Sequence, residues 1–267
     1  MSQVVASIGG MTPAQLGLHT LRDSQRPVAP GTVDTTVSMP GMHGAYDFGA
    51  TLGPLPLPLD CAFATSSAYE LQRLVSKLAQ LLIDGNGRPR TLALEYSNRP
   101  GQVYYVRYSG TAPIQRIVGL GRFTLPMVAF DPFAYTPFDT SEINVDTKIP
   151  VDMALSVDAS YGIALTSPGV LVVDNFGTQD ARPIIEVAGS FTSLTVTLGG
   201  KTTTYSQPHS GTITLDFAKR IARSGAVNVF SNTNRTFGSL PVGKSDVAIG
   251  GTGINITVRV KFKAKFI

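Results

Sequence analysis

Leu71, Leu74, Val75, Leu78, Leu81 and Leu82 recur at helical spacing, while Arg73, Lys77 and Gln80 fall off that stripe. The pattern predicts one amphipathic helix over about 67–84. Ser67 followed three residues later by Glu70 predicts a capping box at its start. Gly85-Asn86-Gly87 supplies residues suited to left-handed backbone at its end. Around the helix the period is two. Leu92, Leu94 and Tyr96 share one face of a predicted strand, and Asn98-Arg99-Pro100-Gly101 is the turn after it. Val103–Tyr108 is apolar or aromatic on both faces, which predicts a covered central strand. Phe123, Leu125 and Met127 alternate again before Phe130-Asp131-Pro132-Phe133-Ala134-Tyr135.

Pro54-Leu55-Pro56-Leu57-Pro58-Leu59-Asp60-Cys61-Ala62-Phe63 places leucines on one face and prolines on the alternate positions. Alternate residues direct their N–H groups to the same side of a strand, so three prolines silence one edge. The expectation is an edge strand, protected against accidental sheet extension. Residues 1–39 read as a loose Pro-containing segment, an arm or a first strand.

From Pro137 to about Ser167 the pattern weakens, with Asp139, Glu142, Asp146, Asp152 and Asp158 spread among Thr and Pro. This stretch is taken as a linker or arm, giving domains 1–138 and 139–267. Beyond it, short alternating runs at Ile184–Val187, Leu194–Leu198, Ile213–Phe217, Val227–Phe230, Val247–Ile249 and Ile254–Phe266 are punctuated by Gly, Asn or Pro. That is the signature of a β-sandwich.

The order of these segments resembles a known family. PGMHGAYDFG (40–49), edge strand, helix, strand, YYVRYSG (104–110) and GRFTLPMVAFDPFAY (121–135) are similar to the N-terminal domain of the siphophage distal tail proteins, Dit. DNFGTQDARPIIEVAG (174–189), with Asn175, Gly177, Pro183 and Gly189, resembles the start of that family's C-terminal domain. The resemblance implies a mainly β protomer: an N-terminal β-sandwich or split barrel with one α-helix, then a galectin-like β-sandwich. It further implies a hexameric ring at the end of the tail tube. Such a hub joins the tube protein to the tail-tip (tail-associated) protein and to receptor-binding proteins. The genome DNA passes through its lumen without specific binding. The location implied is the virion tail tip, after assembly in the host bacterial cytoplasm.

Composition narrows the classes. At 267 residues, with 43% hydrophobic residues and mean hydropathy +0.13, the chain is long and apolar enough for substantial cores. Gly 27, Pro 18 and no Trp fit many turns and short strands. The lone cysteine, Cys61, excludes an intrachain disulfide framework and fits a reducing compartment. It shares a face with Leu59 and Phe63, so a buried structural thiol is expected rather than a nucleophile. Met1–Gly10 lacks a signal peptide's charged and apolar regions, and no run is long enough to span a membrane.

Gly238-Ser239-Leu240-Pro241-Val242-Gly243-Lys244-Ser245 spells a P-loop, but Asp246-Val247-Ala248-Ile249 after it predicts a strand where phosphate binding needs a helix N-terminus. The match is read as a chance turn. His19, His43 and His209 are scattered, without metal-ligand spacing. Asp139 with Glu142 reads as a solvated pair in the linker. The sequons at Asn234 and Asn255 are read as chance. No catalytic, metal or cofactor residues are therefore assigned. In the last strand Arg259, Lys261, Lys263 and Lys265 alternate with apolar residues and equal the net charge of +4. They offer either a track for a phosphate backbone or an acidic partner, or a solvated face whose cations discourage edge pairing; the second is the plainer reading. A carbohydrate-binding module is the alternative function, weakened by the absence of Trp and by Phe176, Phe191, Tyr205, Phe217, Phe230, Phe237, Phe262 and Phe266 being the only aromatics of 168–267, several at core positions.

Overall fold

The computed structural model describes residues 5–21, 27–142 and 161–267. It divides into two compact units between Ala134 and Tyr135. Most of the predicted arm lies at 143–160, outside the described residues.

The first unit runs β1 (Val5–Ile8), β2 (Leu18–Thr20), β3 (Thr32–Val37), β4 (Tyr46–Leu52), β5 (Leu55–Pro56), β6 (Leu59–Ala64), α1 (Ala68–Leu82), β7 (Thr91–Tyr96), β8 (Val103–Tyr108), β9 (Gln115–Ile117), β10 (Leu120–Leu125) and β11 (Met127–Ala129), with β12 (Ala134–Tyr135) at the division. One sheet follows the order β1-β7-β8-β11-β5 and a second the order β2-β6-β10-β9, while β3 and β4 pair only with each other. The mainly β expectation holds, and α1 is the one α-helix among the described residues.

Ser67 caps α1, its hydroxyl accepting from the Glu70 N–H at 3.2 Å. The capping box is one-sided, because the Glu70 carboxylate accepts instead from the Ser66 hydroxyl at 2.9 Å. Leu71, Leu78 and Leu82 are buried, the first against Gly121 of β10. Each such burial contributes about 1.5–3 kcal/mol. The helix ends before the glycines. Ile83 is already extended, and the Asp84 carboxylate folds the turn by accepting from the N–H groups of Asn86 and Arg88 at 2.9 and 2.8 Å.

The proline-rich stretch divides between the two sheets. Leu55, Leu57, Leu59, Cys61 and Phe63 are all buried, as their alternation predicts. β5 is a sheet edge, pairing β11 alone. β6 corrects the expectation of a single edge strand: β2 and β10 pair with it on both sides, because the prolines stop at Pro58 and its N–H groups are free to bond. β8 is central in its sheet, between β7 and β11, but Tyr105 and Arg107 are exposed, so only one face is covered. Residues 1–39 supply β1 to one sheet, β2 to the other, and β3.

The second unit contains β13 (Gly162–Leu165), β14 (Gly169–Asn175), β15 (Ile184–Phe191), β16 (Ser193–Leu198), β17 (Lys201–Tyr205), β18 (His209–Asp216), β19 (Ile221–Ser224), β20 (Val227–Asn228), β21 (Gly243–Thr252), β22 (Asn255–Lys261) and β23 (Lys265–Phe266). A six-stranded sheet, β13-β22-β15-β18-β19-β20, and a four-stranded sheet, β14-β21-β16-β17, share one core that includes Val173, Ile185, Val196, Leu215, Val247 and Val258. This is a β-sandwich.

The DNFGTQDARP run earns its residues here. Buried Asn175 donates to the carbonyls of Gln179 and Leu240 at 3.0 and 3.1 Å and accepts from the Gly177 N–H. Gly177 has no room for a side chain, because a Cβ would collide with the Lys265 backbone. The Pro183 carbonyl accepts from the Phe217 N–H at 3.0 Å.

The basic terminal strand requires a correction. β22 stops at Lys261, and it lies inside its sheet between β13 and β15, so its cations guard no edge. Lys261 pairs with Glu186 at 2.9 Å, and Lys263 donates to the Pro137 carbonyl at 3.3 Å. Arg259 alone of the four is exposed; the three lysines are half-buried.

Candidate assembly surfaces

Apolar side chains with no core to enter are concentrated at two places in the first unit. The first is the β3–β4 hairpin, every strand residue of which is exposed. Val33 is 55% and Phe48 69% exposed, and Val37, Met39, Tyr46 and Leu52 join them. Its ladder carries a bulge between Asp34 and Thr36, with Gly49 at φ 97° and its N–H bonded to the Asp47 carboxylate at 2.8 Å. A lone two-stranded ribbon in water is marginal. One that displays valines and aromatics on an otherwise polar stretch has the composition of a contact surface.

The second place is the free edge β9 and its turn into β10. Ile117 is 70% and Val118 79% exposed, with Leu120 beside them. Leu120 lies opposite Ile117, so Val118-Gly119 forms a two-residue turn. Val118 sits at φ 53°, a region where a β-branched residue is strained by about 1–3 kcal/mol and Asn or Gly is the usual occupant. The turn cannot relax, since the Gly119 carbonyl accepts from both the N–H and the hydroxyl of Thr65, at 3.0 and 2.8 Å. Nothing in the folding of this turn calls for an exposed valine there.

Sequence reasoning passed over both places. PGMHGAYDFG was legible as a motif, yet its role as a hairpin tip was not, because the Thr-rich β3 shows no buried alternation. The available signal was the Pro40-Gly41 turn flanked by two Val/Thr/aromatic runs.

The candidates for chemistry stand apart from one another. Gly238–Leu240 packs by its backbone: a Cβ on Gly238 would run into the Leu198 carbonyl. Gly243, Lys244 and Ser245 open β21, opposite Asn175, Asp174 and Val173, so the segment that spells a P-loop leads into a strand and presents no helix N-terminus. Among the described residues no three His, Cys, Asp or Glu side chains converge. His209 packs between Phe191 and Tyr205, with ring centroids at 5.8 and 6.3 Å. Asp139 and Glu142 fold a local turn, Asp139 accepting from Ser141 and Glu142 from the Asp139 N–H. Asn234, of the first sequon, spends its side-chain amide on the Thr202 carbonyl and the Thr204 N–H. Cys61 is fully buried, and burial, reinforced by Asp60, pushes its thiol up to about 12.

In the second unit an open cleft of about 510 Å3 includes Thr257, Arg259, Lys261 and Tyr161 in its lining. Sugar stacking needs a bare ring. Tyr161 stacks on Phe262 at 5.9 Å and donates its hydroxyl to the Asp174 carbonyl, and burial raises the pKa of that phenol. The aromatics of 168–267 are buried, apart from half-buried Phe176 and Phe230. No exposed aromatic platform exists in that range. Among the described residues no helix is long and apolar enough to cross a membrane.

The family model of the phage tail protein RIFT-related domain matches residues 13–129, which contain both exposed apolar places. The crystal structure of Dit (gp 19.1) of phage SPP1 superposes over 100% of this chain and 99% of that one, at TM-score 0.68 and 14% identity. The chain therefore has the fold of that distal tail protein, and the resemblance drawn from its segment order is borne out. A chain of the phage p2 baseplate in its activated conformation with calcium matches at 9% identity and TM-score 0.46, covering 99% of this chain and 98% of that one. No curated protein sequence matches.

Proposed function

We propose that this chain is a non-enzymatic hub of a siphophage tail. It assembles as a six-fold ring at the distal end of the tail tube and continues the tube's lumen as a passage for the genome. It carries the tail-tip protein and receptor-binding proteins, and it reaches the virion tail tip after assembly in the host cytoplasm. The observation that carries the reading is the β3–β4 hairpin, an element that displays apolar side chains and joins neither larger sheet of its unit. A chain built for chemistry in isolation has no use for such an element, whereas an assembling one does. The SPP1 protein of the same fold is described as a paradigm of the hub adsorption apparatus of phages that infect Gram-positive bacteria, which supports the same role here.

The test is mass and shape. Light scattering on the purified protein at micromolar concentration should give six times the 28.3 kDa protomer mass, and negative-stain images should show discs with a central hole. A protein that stays monomeric across that range, and also when mixed with assembled tail tubes, overturns the proposal.

A further inference from the structure

We propose that the β3–β4 hairpin of one copy of this chain docks on the β9–β10 turn of the next copy, in a head-to-tail contact. The inference rests on the assembly reading above and assigns its two surfaces. Three independent observations converge on it. Both surfaces are apolar and exposed: Val33 and Phe48 on the hairpin, Ile117, Val118 and Leu120 at the turn. Their charges are opposite. Residues 32–52 contain Asp34 and Asp47 and no Lys or Arg, whereas residues 115–125 contain Arg116 and Arg122 and no Asp or Glu. Two hairpins facing each other would bring like charges together, and so would two turns; a hairpin on a turn brings opposite ones. Finally, Val118 holds a backbone conformation that an asparagine or glycine would adopt without strain. An apolar side chain kept there against local preference is explained when a partner covers it. Because the surfaces differ, a rotation that closes produces a ring, and each protomer uses both.

The experiment compares four proteins by mass photometry: wild type, a hairpin variant (Val33→Asp with Phe48→Asp), a turn variant (Ile117→Asp), and Val118→Asn. All of the substituted side chains are exposed, and circular dichroism checks that the folds are retained. Each aspartate variant should lose the ring and run as a protomer. Mixed together they should form 1:1 pairs and nothing larger, because only one intact hairpin and one intact turn remain per pair. Val118→Asn should raise the melting temperature of dilute protomer while moving ring assembly to at least tenfold higher concentration. A merely structural valine would move both stabilities the same way.

If wild type forms rings but either aspartate variant still does so, or if the mixture yields no pairs, the assignment of surfaces is overturned and the hub reading stands. If the hairpin variant alone fails to assemble, the occupant of the hairpin lies elsewhere and this pairing is wrong. A wild type that never assembles overturns the hub reading and this inference with it.

Discussion

Cys61 illustrates how a side chain's neighbours settle its chemistry. It lies on β6 opposite Thr20 of β2 and Phe123 of β10, fully buried, with the ring of Phe63, two residues on, tilted against Phe123 at 5.3 Å. Desolvation first, then the adjacent Asp60 charge, disfavours the thiolate and pushes the thiol up from 9.0 to about 12. The folded state therefore keeps this proton where the unfolded chain releases it. Between pH 9 and 12 the unfolded state binds fewer protons, so the contribution to stability is complete below pH 9 and falls as pH rises toward 12. Denaturant midpoints measured at pH 8 and pH 10.5 should drop more steeply for wild type than for Cys61→Ala, whose offset from packing loss is independent of pH. Parallel slopes would show that the thiol is not held protonated. The same burial predicts that a thiol reagent leaves the native protein unlabelled at pH 8.

At the scale of elements, the seam beside the broken β22–β23 ladder shows which features a sequence reveals and which it hides. Where β22 stops, Phe262–Ala264 lose a strand neighbour, and two buried threonines replace it. Thr136 donates its N–H to the Ala264 carbonyl and accepts from the Ala264 N–H on its hydroxyl, at 3.1 and 3.2 Å. Thr140 does the same with Phe262 and donates its hydroxyl to the Val260 carbonyl, at 3.1, 3.2 and 3.1 Å. Thr140→Val keeps the shape and strands a buried N–H and a buried carbonyl, so it should cost about 1–3 kcal/mol by denaturant unfolding; a loss within 0.5 kcal/mol, the ordinary range of surface changes, would contradict the role given to this seam. From composition alone, the stretch from Pro137 that holds Thr140 reads as the start of a linker, because threonine signals neither core nor loop until its partner is known. The same blindness hid β17, whose Lys-Thr-Thr-Thr-Tyr run buries Thr203 through a hydroxyl bond to the Thr236 carbonyl at 2.6 Å. Elements with a full apolar stripe, α1 and β15 among them, were legible. So was the strand that follows the Gly238–Ser245 match, since the residues downstream already had a strand's pattern. The hairpin and the β9 turn were not legible, because strands exposed on both faces lack the alternation that burial within one chain imposes.

At the scale of the whole molecule, an assembled state should leave a thermodynamic mark that no feature of a lone protomer can produce. Anything that binds the native state and not the unfolded one stabilises it by mass action, and in the proposed ring that ligand is another copy of the chain. The hairpin sharpens the expectation, since as a two-stranded ribbon without a sheet it contributes little to its own order until it is covered. The melting midpoint of wild type should therefore rise with protein concentration through the range in which rings form. The Phe48→Asp protein should melt at one temperature regardless of concentration. Hydrogen exchange gives the complementary view: amides of residues 32–52 should be slow in rings and fast in that variant, while those of buried β15 and β18 should be slow in both. A wild type whose midpoint ignores concentration while rings are visible would mean that the contacts survive in the unfolded state or that the rings are locked kinetically, and slowing the temperature scan separates those two cases.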